Sequence, residues 1–153
     1  MHLNTFMRSL EGIINSDSLA TVFAIAEEEC VRKIILHFKV SGCDPLSNAN
    51  LLIMYTPYVD VVEPLRLEVR VDSNKVMARE FMNSQYNKLM NLGAQVALGK
   101  DGIYAIFKIK IEDTGNLIEF INETLNAVCR IFSSEKNLGR LNLIYDGFTL
   151  VRE

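Results

Sequence analysis

The stretch LRLEVRV, residues 65–71, decides the fold class. Leu65, Leu67, Val69 and Val71 alternate with Arg66, Glu68 and Arg70. Successive side chains of a strand point to opposite sides, so the alternation predicts a half-buried strand with one apolar and one wet face. Leu67 is expected to be buried and Arg66 exposed. Upstream, Ile34, Leu36, Phe38 and Val40 alternate with Ile35, His37 and Lys39, and predict a second strand. Residues 41–50 read as a loop, with Gly42 and Pro45 as breakers. Residues 51–55 begin a third strand. Pro57, which lacks an N–H, predicts that this strand is short or lies at an edge.

Downstream the period changes. Ala78, Phe81, Met82, Leu89 and Leu92 are spaced for a helix over about 75–92, with Ser73 or Asn74 as N-cap and Gly93 just past its end. Residues 94–99 and 102–112 flank Lys100-Asp101-Gly102, a hairpin signal. Ile103, Ala105, Phe107, Ile109 and Ile111 share one face of the second arm; Tyr104, Ile106, Lys108, Lys110 and Glu112 share the other. Asn116 with Glu119 three residues on predicts a capping box at the start of a long helix. Its stripe is Ile118, Ile121, Leu125, Val128 and Phe132, widened by Leu117, Phe120, Ala127 and Ile131. So broad a surface is expected to be covered by the sheet and by a second neighbour.

At the other end, Leu3, Phe6, Met7, Leu10 and Ile14 predict a helix over 2–15, ended by the turn-forming Asn15, Ser16 and Asp17. Residues 19–29 read as strand or helix, and the strand is favoured because Thr21, Val22, Phe23 and Ile25 are good strand formers, although the alanines and glutamates suit a helix. The tail, 138–153, is too apolar at Leu141, Leu143, Tyr145, Phe148 and Leu150 to be free, and reads as a late strand or a docked extension. Short connections favour antiparallel pairing. The expected fold is α+β, in the order α-β-β-β-α-β-β-α: one antiparallel sheet with helices packed largely on one face, as a single domain over 1–153.

Composition excludes several function classes. A chain of 153 residues with 49% hydrophobic and 23% charged residues is globular and needs no metal or disulfide to hold a core. A net charge of −3 argues against a nucleic-acid partner. No apolar run approaches the roughly 20 residues of a membrane span. The N-terminal segment has Glu11 and Asp17 and no apolar run typical of a signal peptide. Cys30, Cys43 and Cys129 are odd in number and widely spaced, which argues against a disulfide framework and for a reducing, cytoplasmic setting.

Chemistry-bearing motifs are sparse. His2 and His37 lack the spacing of metal ligands, so no metal site is expected. Cys129 sits in an apolar helix and reads as a small buried hydrophobe. Gly93, Gly99 and Gly102 form no phosphate loop. Glu27, Glu28 and Glu29 read as a solvated turn or helix end. Asn83, Asn87 and Asn91 recur every four residues and form either a polar outer face or a row of amides for a neighbouring backbone. No catalytic set and no cofactor site is expected.

The run from Val76 to Phe132 resembles the YbjN family, whose members share a fold with type III secretion chaperones. The features that carry the resemblance are the helix with Asn83, Tyr86 and Asn87, the glycine after it, the Asp101-Gly102 hairpin, the alternating strand and the last amphipathic helix. The resemblance implies a non-enzymatic dimer that binds other polypeptides, with a chaperone-like or regulatory role in sensory transduction. Residues 49–63 and the tail lie outside its motifs. The surfaces expected for a protein partner or for a homodimer are Tyr104, Ile106, Leu117, Phe120, Ala127 and Ile131. The competing expectation is a small-molecule-binding protein or enzyme with a pocket between sheet and helices, built from His37, Arg66, Glu68 and Arg70. Arginine and glutamate alternating on a wet strand face are also what simple surface pairing gives.

Overall fold

A computed structural model describes residues 1–72, 84–110, 116–133 and 141–152. The helices are α1 (Leu3–Ser9), α2 (Ser16–Glu28), α3 (Tyr86–Asn91) and α4 (Leu117–Phe132). The strands are β1 (Lys33–Ser41), β2 (Leu46–Thr56), β3 (Val61–Val71), β4 (Gln95–Leu98), β5 (Ile103–Ile109) and β6 (Asn142–Val151). They form one six-stranded sheet in the order β4-β5-β3-β2-β1-β6, antiparallel throughout. The fold is α+β, as the alternation predicts.

Register turns the period-two pattern into two faces. Leu36, Leu51, Leu67 and Phe107 stand opposite one another across four strands and line the inner face, and Phe148 on the edge strand β6 continues the row but stays exposed. Leu67 is 1% exposed, and burying a side chain of that size contributes about 1.5–3 kcal/mol. One residue along, Thr149, Ile35, Leu52, Arg66 and Lys108 form the matching row on the outer face. The core joins the inner face to Phe6 and Leu10, to Leu19, Val22, Phe23 and Ala26, and to Leu117, Ile121, Leu125 and Val128. Edge-to-face ring contacts link Phe6 to Phe23 (5.9 Å) and Phe23 to Tyr55 (5.0 Å), fastening the first two helices to β2. Ile35, Leu52, Met54, Tyr104 and Ile106 belong to no part of this core. The helices therefore sit on one side.

Residues 19–29 are helical, not extended. Leu19, Val22, Phe23 and Ala26 fall at i, i+3, i+4 and i+7 and all four are buried, so one helical stripe outweighs the strand preference of the β-branched residues. Asn15 is the N-cap of α2, its side chain accepting from Asp17 N at 2.8 Å. The polar triplet expected to end the first helix instead begins the second, and α1 already stops at Ser9. Cys30 closes α2 in a left-handed conformation (φ 55°), with Cys30 N bonded to Glu27 O and Val31 N to Ala26 O. Gly93 (φ 94°) ends α3 in the same way, through Gly93 N to Met90 O and Ala94 N to Leu89 O. Ala78, Phe81, Met82 and Asn83 lie outside the described residues, as do Ile111 and Glu112.

Three further expectations are corrected. β2 is neither short nor at an edge: it runs from Leu46 to Thr56 between β1 and β3, and Pro57 falls in the turn beyond it, where no ladder bond is lost. Asn116 makes no side-chain cap bond; its backbone (φ −126°, ψ 44°) lies outside the extended region from which a cap side chain reaches the first turn. Cys43 and Cys129 form a disulfide across 86 residues, with Cα atoms 6.3 Å apart, inside the usual span. The fold brings the β1–β2 turn onto the last turns of α4, which wide spacing in sequence cannot show. The tail is a strand, β6, paired with β1 with a one-residue irregularity between Tyr145 and Phe148.

Candidate functional site

The outer face of the sheet is covered by no described helix. Its centre is polar. His37 lies between Asn50 Oδ1, 2.9 Å from Nδ1, and Thr149 Oγ1, 2.6 Å from Nε2. An amide oxygen only accepts, so Nδ1 donates to Asn50, and the threonine hydroxyl, which can donate or accept, completes the bond at Nε2. Hydroxyl, imidazole and orienting group stand in the order of a hydrolytic triad. The setting is wrong for that chemistry: Thr149 is exposed on a flat strand face, and an amide replaces the carboxylate that would stabilise an imidazolium. The arrangement ties β6, β1 and β2 together. Glu68 stands opposite Asn50, and Arg70 bonds Ser47 Oγ at 2.8 Å.

Charge is unevenly matched along the face. At one end Lys39 meets Asp146 (3.9 Å) and Arg70 meets Asp72 (3.6 Å). At the other end Lys33, Arg66 and Lys108 make no ion pair among the described residues. Arg66 and Lys108 are direct cross-strand neighbours, and like charges so placed are destabilising. Beside them runs a groove of about 220 Å³, lined by Lys33, Leu52, Ile53, Met54, Pro64 and Arg66. It opens toward a shallower depression shared with Lys108 and Lys110. The nearby Glu63 carboxylate is held by the Met1 amino group at 3.2 Å.

The expected interface residues divide between two surfaces. Tyr104 and Ile106 lie half-buried on the outer face, opposite Arg70 and Glu68. The remaining four belong to α4, beneath the inner face. Leu117 is 1% exposed and belongs to the core, because the helix turns it toward the sheet with Ile121 and Leu125. Phe120, Ala127 and Ile131 flank that stripe and are half-buried; Phe120 and Ile131 also pack on the core. The six residues therefore cannot form one patch. His37, Arg66, Glu68 and Arg70 do share a face, but it is the open one, not a pocket between sheet and helices. Sequence reading passed over Lys33, Leu52, Met54 and Pro64, although Lys33 and Leu52 share the strand period of Ile35 and Arg66. Asn87 and Asn91 are exposed on α3, and Glu27, Glu28 and Glu29 end α2 in solvent, Glu29 paired with Arg152 at 2.8 Å.

Among the described residues no group of three or more histidine, cysteine or acidic side chains is placed to hold a metal ion. No described helix is long and apolar enough to cross a membrane. Among the described residues, two core-facing tyrosines have raised pKa values. Burial raises Tyr55 above its ordinary value near 10, with help from Asp60 and Glu27, and burial raises Tyr145. Comparison with protein-family models, curated proteins and solved structures finds no match.

Proposed function

We propose that the chain is a non-enzymatic, homodimeric protein-binding module of chaperone-like or regulatory type, related to the YbjN family and to the fold of type III secretion chaperones. The observation that carries this reading is the sheet face left open, with Ile35, Leu52, Met54, Tyr104 and Ile106 spread over it. These apolar groups are half-buried and covered by no described helix, and such a face on a two-layer fold suits a polypeptide partner. Two surfaces allow two tasks: the α4 flank of Phe120, Ala127 and Ile131 meets a second copy about a two-fold axis, and the open face takes the partner. Light scattering at tens of micromolar, an ordinary concentration for judging such affinity, tests the dimer. A mass of 17.3 kDa would overturn that half of the reading, and twice that mass supports it.

The cytoplasm is the proposed location, although the Cys43–Cys129 disulfide is of a kind that persists in oxidising compartments and counts against it. A second reading, a small-molecule-binding protein or enzyme, has His37, Arg66, Glu68 and Arg70, which share the outer face, as its candidate set. A thermal-shift screen separates the two: strong stabilisation by a metabolite, lost in His37→Ala, would favour the second.

A further inference from the structure

The unmatched cations at one end of the open face call for an explanation on a chain of net charge −3. The paired end shows that this sheet can supply carboxylates where it needs them: Asp146 for Lys39, Asp72 for Arg70. At the other end Arg66 and Lys108 stand side by side, Lys33 faces Met54, and the residues between are apolar. A like-charge pair beside an aliphatic floor is costly in the free chain and is relieved by an anion that also fills the groove.

The shape selects the kind of anion. The groove of about 220 Å³ falls below the roughly 300–1,000 Å³ of sites that enclose a small ligand but admits one aliphatic side chain, and the adjoining depression of about 510 Å³ lies open to solvent and does not enclose one. That depression is lined by Glu63, Lys108 and Lys110, with the Glu63 carboxylate already paired to the Met1 amino group, and the shared Pro64 and Arg66 let an extended chain continue across it. A single-stranded nucleic acid would want aromatic platforms, and Leu52, Met54 and Pro64 supply none. We infer that this end of the open face binds an extended acidic polypeptide segment, one apolar side chain entering between Leu52, Met54 and Pro64 while flanking carboxylates meet Lys33, Arg66 and Lys108. The inference rests on the protein-binding reading above and names the chemistry of the partner.

The test uses the full chain and a fluorescein-labelled peptide of repeated Asp-Leu-Glu units, read by anisotropy. Its Asn-Leu-Gln counterpart and an oligothymidylate of equal charge are the comparisons. The acidic peptide is expected to bind saturably, and the neutral one about tenfold more weakly. Arg66→Glu and Lys108→Glu should each weaken the acidic peptide about tenfold, and Lys39→Glu, at the paired end, by no more than about twofold. Unchanged circular dichroism and melting temperature establish that each variant folds; Arg66→Ser and Lys108→Ser serve where a charge reversal unfolds the chain. Backbone amide shifts on titration should centre on Leu52 and Met54. Absence of saturable binding overturns the inference, as does tighter binding of the oligothymidylate. Peptide binding indifferent to Arg66 and Lys108, with shifts on α3 and β4, overturns the groove while leaving the protein-binding reading intact.

Discussion

Removing the link between Cys43 and Cys129 is the sharpest test of how the β1–β2 turn and α4 meet. The crosslink spans 86 residues, more than half of the chain. Chain entropy assigns the closure of a loop of that length about 4.5 kcal/mol at 25 °C, through restriction of the unfolded state. That is a large share of the 5–15 kcal/mol typical of a domain. Both sulfurs are buried, Cys129 fully and Cys43 nearly so, and alanine at each position avoids leaving an unpaired hydroxyl in the core. The double variant Cys43→Ala/Cys129→Ala is compared with the parent by urea unfolding, both in a Cys30→Ser background so that the exposed thiol cannot exchange. The expected loss is about 4.5 kcal/mol, or roughly 9–18 °C in Tm for a domain of this size. Reductant should bring the parent toward the variant and leave the variant unchanged. The reasoning is refuted if air-oxidised wild-type chain, once denatured, titrates three thiols instead of one. It is also refuted if the double variant loses less than about 1 kcal/mol.

Other outcomes follow from single positions. Leu67→Ala, in the middle of β3, should cost about 2–5 kcal/mol in urea unfolding, whereas its exposed neighbour Arg66→Ala should stay within about 0.5 kcal/mol; equal effects would sink the two-faced sheet. Tyr55 and Tyr145 have raised pKa values in the folded state, so the native chain holds their protons more tightly than the unfolded one. Their contribution is complete below the unfolded tyrosine value near 10 and is lost as pH rises through the higher folded value, giving a fall in stability above about pH 10 that Tyr55→Phe and Tyr145→Phe should each reduce. Phe120→Glu should dissociate the proposed dimer or unfold the chain, since an unpaired carboxylate in an apolar contact costs about 3–5 kcal/mol by analogy with broken buried pairs; an unchanged light-scattering mass and melting temperature would remove α4 from the interface.

Much of the strand architecture was legible because burial and alternation report the same thing. Where one face packs and the other meets water, period two appears in the residues themselves, as at 34–40 and 65–71. The glycine stop at 93 and the Asp101-Gly102 hairpin were legible for a similar reason: backbone at positive φ disfavours a Cβ, and at Gly102 an added Cβ would run into the Val71 carbonyl. Legibility failed where local preference and tertiary burial disagree. Val22, Phe23 and Ile25 prefer strands locally, yet α2 is helical because Leu19, Val22, Phe23 and Ala26 reach one core from a helix.

The candidate site was half visible. Arg66, Glu68, Arg70, His37, Tyr104 and Ile106 were each recognisable as outer-face residues of their own strands. That they share one open surface follows from register, which sets Arg66 beside Lys108 and His37 beside Asn50. The same limit applies to the cysteines, since nothing local to Cys43 or Cys129 tells that they meet. Side-chain chemistry and spacing determined which face of each strand is wet and, for most of the chain, what each element is, because those depend on neighbours a few residues away. Which strands adjoin and, among the described residues, which cations lack a carboxylate and which face stays uncovered were decided only when the sheet assembled, because pairing across tens of residues leaves no periodic trace in either partner.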